Sequence, residues 1–145
     1  MELVLLDAVL LEAVTRTLRL GHPLTQGTAD SNEVWIEIEA RLVSNTVTGS
    51  RAIGSSGRIL DDGAVDPRAK FLDVWLLDRE GRRIEQRNPE DIFVPLYNHQ
   101  IPPGAADLTH YRIAIPSDAS GDLEIRGRIR YRKFDSQLMR HAFGP

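Results

Sequence analysis

The chain has 145 residues, with 18 Lys and Arg against 21 Asp and Glu and no cysteine. That length suits one domain with a real core, and the lack of cysteine excludes disulfides, thiolate metal sites, a thiol nucleophile and any CxxCH covalent haem attachment within the chain. A net charge of -3 gives no global field that would steer the chain to nucleic acid or an anionic membrane.

In chain order, the opening "MELVLLDAVLLEAV" has no basic leading region and carries Asp7 and Glu12 inside its apolar run. It fits neither a signal peptide nor a membrane span of about 20 residues, and so predicts a soluble chain without an export address. Leu3, Leu6, Leu10, Ala13, Val14 and Thr17 also fit a helical stripe, so the stretch is ambiguous. We read a strand from Leu10 to Leu20, with residues 1–9 as an N-terminal extension. "EVWIEIEARLV" puts Val34, Ile36, Ile38 and Ala40 on one face and Trp35, Glu37 and Glu39 on the other, the alternation of a strand with one wet side. Trp35 is then either covered by a loop or open to a partner. Ser44 to Lys70, rich in Gly, Ser and Asp, reads as loop with one short strand at Arg58–Leu60.

Phe71–Leu77 and Arg82–Gln86 flank a "DREG" turn and predict a hairpin with Gly81 at a positive φ. Trp75 lies between Val74 and Leu76 and is expected to be buried. Arg87 to Ile113 reads as an ordered crossover. Pro95, Pro102 and Pro103 hold an extended path, Ile92, Phe93, Val94, Leu96, Tyr97 and Ile101 clamp it along the fold, and Gly104 permits the turn into a strand near Leu108. "HYRIAIP" alternates Tyr111, Ile113 and Ile115. After "SDASGD", "LEIRGRIRYRKF" alternates Leu123, Ile125, Ile129 and Tyr131 against Glu124, Arg126, Arg128, Arg130 and Arg132, and residues 135–145 read as a tail. Short strands with long Pro/Gly connections predict an all-β, antiparallel β-sandwich of immunoglobulin or fibronectin-III type, in one domain spanning 1–145 with long ordered loops.

Chemistry-bearing residues are few. His22 sits at a strand end before Pro23, His99 lies in "YNHQIPPG", and His110 and His141 read as surface residues. No two histidines have zinc-ligand spacing. The acids of "DDGAVD" (Asp61, Asp62, Asp66) and "TADSNE" (Asp30, Glu33) lack EF-hand spacing and read as solvated turns. No GxSxG, P-loop or HExxH motif is present, so no metal ligand and no catalytic residue is assigned. The row Arg126, Arg128, Arg130 and Arg132 shares one strand face, where like charges repel unless paired. Glu37 and Glu39 would relieve it if their strand is the neighbour, and the other reading is a site for carboxylates of a cofactor or an acidic partner.

Five segments, "GHPLTQGTADSNEVWIEI", "DDGAVDP", "LLDREGRRIEQRNPEDIF", "LYNHQIPPGAADLTHYRIAIP" and "IRGRIRYRKFD", occur in this order from Leu18 to Asp135. In order and spacing they resemble the non-haem β-sandwich region toward the C-terminus of multihaem c-type cytochromes related to the cytochrome c554 group. The resemblance implies a periplasmic or extracellular setting and a companion role in electron transfer. In that role a non-catalytic module packs against or docks a haem-bearing subunit or segment, with haem c belonging to the partner and none bound covalently here. It further implies that His22, in the place of the family's "GHxFPTG", and His99 are candidate axial ligands in trans, although Thr25 stands here where that pattern has proline. The alternative is a free-standing β-sandwich that binds a protein or a carbohydrate, favoured if Trp35 or Trp75 is exposed for stacking.

Overall fold

A computed structural model of the chain describes residues 8–25, 27, 29–44 and 49–144. Among these the protein is all-β apart from one 3-10 turn, Pro89–Asp91, and one short helix. The strands are β1 (Ala8–Arg16), β2 (Glu33–Val43), β3 (Ser50–Ser56), β4 (Lys70–Phe71), β5 (Val74–Leu77), β6 (Val94–Asn98), β7 (Ala106–Ala114) and β8 (Asp122–Arg132), with helix α1 at Ser136–Phe143. All pairings are antiparallel. β2 is flanked by β8 along one edge and by β3 and β4 along the other, β1 pairs with β7, and β5 pairs with β6.

The period-two face of β2 builds the core. Val34, Ile36 and Ile38 cluster with Leu72 and Ile101, and Leu11, Leu24, Ala105, Tyr111 and Ile125 pack around them. Each fully buried aliphatic side chain here contributes about 1.5–3 kcal/mol relative to exposure. Because Leu11 of β1 and Tyr111 of β7 are cross-strand partners, the β1–β7 pair lays one side on this core. Its other side leaves Leu10, Val14 and Leu108 in solvent.

Several sequence expectations need correction. The first strand spans Ala8–Arg16 and not Leu10–Leu20. Its last turn toward the loop passes through Arg19 at φ 60, a conformation no strand accommodates. Leu3 and Leu6 of the helical alternative lie outside the described residues. The stretch from Ser44 to Lys70 contains β3, paired with β2 through a bulge at Ala40/Arg41, while Arg58–Leu60 contributes only an isolated bridge, Ile59 to Val65. The "DREG" turn forms with Gly81 at φ 79, but Arg82–Gln86 supplies one bridge, Arg83 to Leu77. β5 takes β6 as its ladder partner, with a bulge that skips Leu96. The crossover is thus partly strand. Ile101 is buried and Tyr97 half-buried, yet Ile92, Phe93, Val94 and Leu96 are exposed, with the Arg79 guanidinium 5.0 Å from the Phe93 ring. The C-terminal tail carries α1, capped by Asp135, whose side chain accepts a 2.7 Å hydrogen bond from the Leu138 amide.

Trp35 takes the covered one of its two expected placements, and Trp75 reverses its expectation. Trp35, on the charged face of β2, is 2% exposed, and its indole N–H donates to the Gly57 carbonyl at 2.7 Å. Gly57 can approach so closely because it lacks a side chain: at φ 77, a Cβ would stand 2.4 Å from the Ile36 carbonyl oxygen. Trp75 is not buried but 38% exposed, since β5 turns Val74 inward and its neighbour outward.

Candidate functional site

The loop bearing His22 is tied to the crossover bearing His99. Leu24 and Ile101 exchange backbone hydrogen bonds at 2.9 and 2.7 Å, Thr25 donates its hydroxyl to the Leu72 carbonyl at 3.2 Å, and the Gln100 side chain donates to the Thr25 carbonyl. Thr25, where the cytochrome-like pattern has proline, is therefore an anchor of the loop. It holds His22 exposed at the end of a fixed segment.

The two candidate ligands differ in the state of their rings. His22 Nδ1 lies 2.9 Å from the Pro23 carbonyl. A carbonyl only accepts, so Nδ1 carries the proton and the exposed Nε2 keeps a free lone pair. A backbone carbonyl holding Nδ1–H is also how metal-binding histidines are oriented. His99 Nδ1 instead faces the Tyr97 hydroxyl at 2.7 Å and the Lys70 ammonium at 3.2 Å. An ammonium only donates, so Nδ1 accepts and the proton sits on Nε2. His99 is in the wrong tautomer for Nε2 ligation. Its ring is stacked on Tyr97 at 4.0 Å, and Lys70 is also bound to Asp107 at 3.2 Å. Burial raises the Tyr97 hydroxyl above its ordinary pKa, with Asp73 and Asp107 adding to the shift, so it remains a neutral donor here. His110 contacts Glu12 at 3.2 Å on the outer side of the β1–β7 pair, and His141 is exposed on α1.

The arginine row lies beside β2, with Arg128 opposite Glu37 and Arg126 opposite Glu39. Glu37 bonds both Arg128 and Arg130, at 2.8 and 2.9 Å, and Glu33 bonds Arg132. Glu39 does not relieve the row. It pairs with Arg41 at 3.0 Å, and Arg126 turns back along its own strand to Glu124 at 2.9 Å. The Arg130 guanidinium holds the Glu37 carboxyl below its ordinary range, against partial burial and with help from Arg128. Because Glu37 serves two guanidinium groups, Glu37→Gln is expected to cost about 1 kcal/mol of urea-derived stability, a value kept low by the exposure of both arginines. The loss should shrink in high salt.

A second concave region lies between β4, β5 and the start of α1. This cleft of about 340 Å³ is bordered by Glu33, Phe71, Asp73, Trp75, Arg83 and Arg140. Asp73 is 2% exposed and its Oδ1 has no hydrogen-bond partner. Burial pushes its pKa up to about 6, opposed by Arg83 and by a hydrogen bond with Trp75. The exposed Trp75 ring is not an open stacking platform, since the Arg83 guanidinium sits 4.3 Å above it and Tyr97 packs at 5.8 Å. Asp73 and Arg83 carried no motif in the sequence. Only the apolar run around Asp73, "FLDVWLL", hinted at a buried acid.

Of the acid-rich loops, Asp66 is buried and held by Arg68 at 3.2 Å, and Asp62 accepts the Ala64 amide at 2.9 Å. Among the described residues no three His, Asp or Glu side chains gather as a metal site, and no helix is long and apolar enough to cross a membrane. No protein-family model, curated protein or solved structure matches the chain.

Proposed function

We propose that the chain is a non-catalytic β-sandwich module of immunoglobulin or fibronectin-III type. It works outside the cytoplasm, docks on a multihaem c-type cytochrome and presents His22 to a haem iron of that partner. The observation that carries this reading is the His22 ring. Its Nδ1–H is held by the Pro23 carbonyl, its Nε2 is free and exposed, and the loop beneath it is pinned to the core through Leu24 and Thr25. Beside it in sequence, Leu18 and Leu20 stay in solvent, which supplies apolar area for a protein partner. His99 serves in this reading as a polar brace, with its Nδ1 occupied.

A haem c peptide with one vacant axial position tests the ligand role. The purified chain should shift its Soret band to the low-spin form, His22→Ala should lose that shift, and His110→Ala and His141→Ala should keep it. Equal shifts in all four proteins would reject the assignment. For the docking role, the native chain should elute from gel filtration with a haem-absorbing partner, and a colourless monomer would overturn it. A carbohydrate-binding module is the second reading, drawn from the exposure of Trp75. Arg83 already occupies one side of that ring, which favours the protein partner.

A further inference from the structure

The cleft between β4, β5 and the start of α1 has a volume of about 340 Å³, enough for a small ligand. Its border carries the charged side chains of Glu33, Asp73, Arg83, Asp135 and Arg140. All but one of these have their charge answered. Glu33 bonds Arg132, the Oδ1 of Asp135 accepts the Leu138 amide at 2.7 Å, and Arg83 donates to Glu85 at 3.3 Å. Arg140 is exposed, so water hydrates its guanidinium, which also reaches the Ser136 hydroxyl at 3.3 Å. Asp73 is the exception. It is buried, and its Oδ1 has no hydrogen-bond partner among the described residues. A carboxylate oxygen in that position costs free energy that an exposed one does not. Arg83 and Trp75 favour the charged form of Asp73, yet the Arg83 guanidinium is held by Glu85 and lies over the Trp75 ring at 4.3 Å.

We propose that this cleft binds a primary ammonium group carried on a short apolar stem, with Asp73 as its counter-ion. An ammonium is a compact donor of three N–H groups, so it supplies the hydrogen that Asp73 Oδ1 lacks and keeps others for solvent at the mouth. An aspartate carboxylate turns easily about its last side-chain bond, which lets Asp73 meet the ligand without a backbone shift. The stem lies along Val65, Pro67, Phe71 and Trp75, the apolar part of the same border. An anionic ligand has the wrong sign for this wall, because Glu33 adds a second negative charge near Asp73. A metal ion lacks ligands, since no three His, Asp or Glu side chains gather among the described residues. The same chemistry is offered by a free alkylamine and by a lysine side chain of a partner protein. No residue bordering the cleft belongs to the His22 loop, so the ammonium site stands without the haem reading.

Butylammonium is the probe, with butanol and tetramethylammonium as controls that lack the charge and the N–H donors respectively. Butylammonium should shift the amide resonances of residues 33, 71–75, 83 and 135–140, with a Kd of about 1 mM or below. Both controls should bind about tenfold or more weakly. Asp73→Asn keeps the size of the side chain and removes the charge, and should weaken butylammonium binding about tenfold or more while the chain stays folded. Protons compete for the same carboxylate, whose folded pKa is about 6, in sight of Glu33, Arg83, Tyr97, Asp135 and Arg140. Binding should therefore weaken about tenfold from about pH 7 to 5. A blocked peptide with a single lysine separates the two sources: affinity about tenfold above that of butylammonium assigns the site to a partner's lysine, and equal or lower affinity assigns it to a free amine. The proposal is overturned if butylammonium shifts none of these amides, if either control binds as well, or if Asp73→Asn binds as the parent does.

Discussion

Trp35→Ala is expected to lower unfolding stability by about 3–5 kcal/mol in urea, enough to leave much of the chain unfolded at ambient temperature. The indole fills the space between the wet face of β2, the Gly57 loop and Phe71 of β4, and the Arg132 guanidinium lies 5.7 Å from its ring. Removing it opens a cavity and leaves the Gly57 carbonyl without its donor. Trp35→Phe separates these effects. It keeps most of the volume, so its loss should fall to about 1–2 kcal/mol, much of it the unpaired carbonyl. A Phe variant as unstable as the Ala variant would mean that the hydrogen bond, and not packing, holds the loop.

Asp73 should produce an effect of opposite sign. Its folded pKa of about 6 lies above the ordinary value of 3.8, so the folded chain binds the proton more tightly than the unfolded chain. The stabilisation is complete below about pH 4 and is lost as pH rises through about 6, a loss of up to about 3 kcal/mol. Glu37, Asp66 and Asp118 are held in the other direction by Arg130, Arg68 and Arg51, so their contributions disappear only at lower pH. Stability measured by denaturant at fixed pH should therefore decline between about pH 4.5 and 6.5. In Asp73→Asn that decline should be absent and stability at about pH 7 higher by about 1–2 kcal/mol, less than the full shift because one amide hydrogen would lack a partner. An unchanged decline in the variant would place the titrating group elsewhere.

These two residues show where the sequence was readable. In β2 the alternation is clean, so the core face and the wet face both follow from the residue pattern, while the cover over Trp35 was one of two readings that the pattern left open. In "FLDVWLL" every position except Asp73 is apolar, and a run of that kind hides which residues face inward. Trp75 was therefore expected inside, and the structure turns it outward. β3 was missed because Gly, Ser and Arg fill it, and its partner β2 supplies the order that its own propensities lack. β6 was missed because Pro95 marks it as irregular, a residue the strand tolerates at its bulge. For the site, the relief of Arg128 and Arg130 by Glu37 was legible from charge alone. The preference of Glu39 for Arg41 was not, since it depends on the reach of individual side chains. Nor was the tautomer of His22 or His99 legible, because it is set by Pro23 in one case and by Lys70 and Tyr97 in the other.

The pairing of β1 with β7 and of β2 with β8 governs how the molecule must be made. Partners such as Leu11 and Tyr111, or Glu33 and Arg132, are separated by roughly 100 residues, a high contact order that predicts folding in milliseconds to seconds. On a ribosome, the β2 ladders cannot close on both sides until residues 122–132 have emerged. The hydrophobic face of β2 therefore waits in solvent or with a chaperone until then. The strand that ends this wait, β8, is translated after every other described strand.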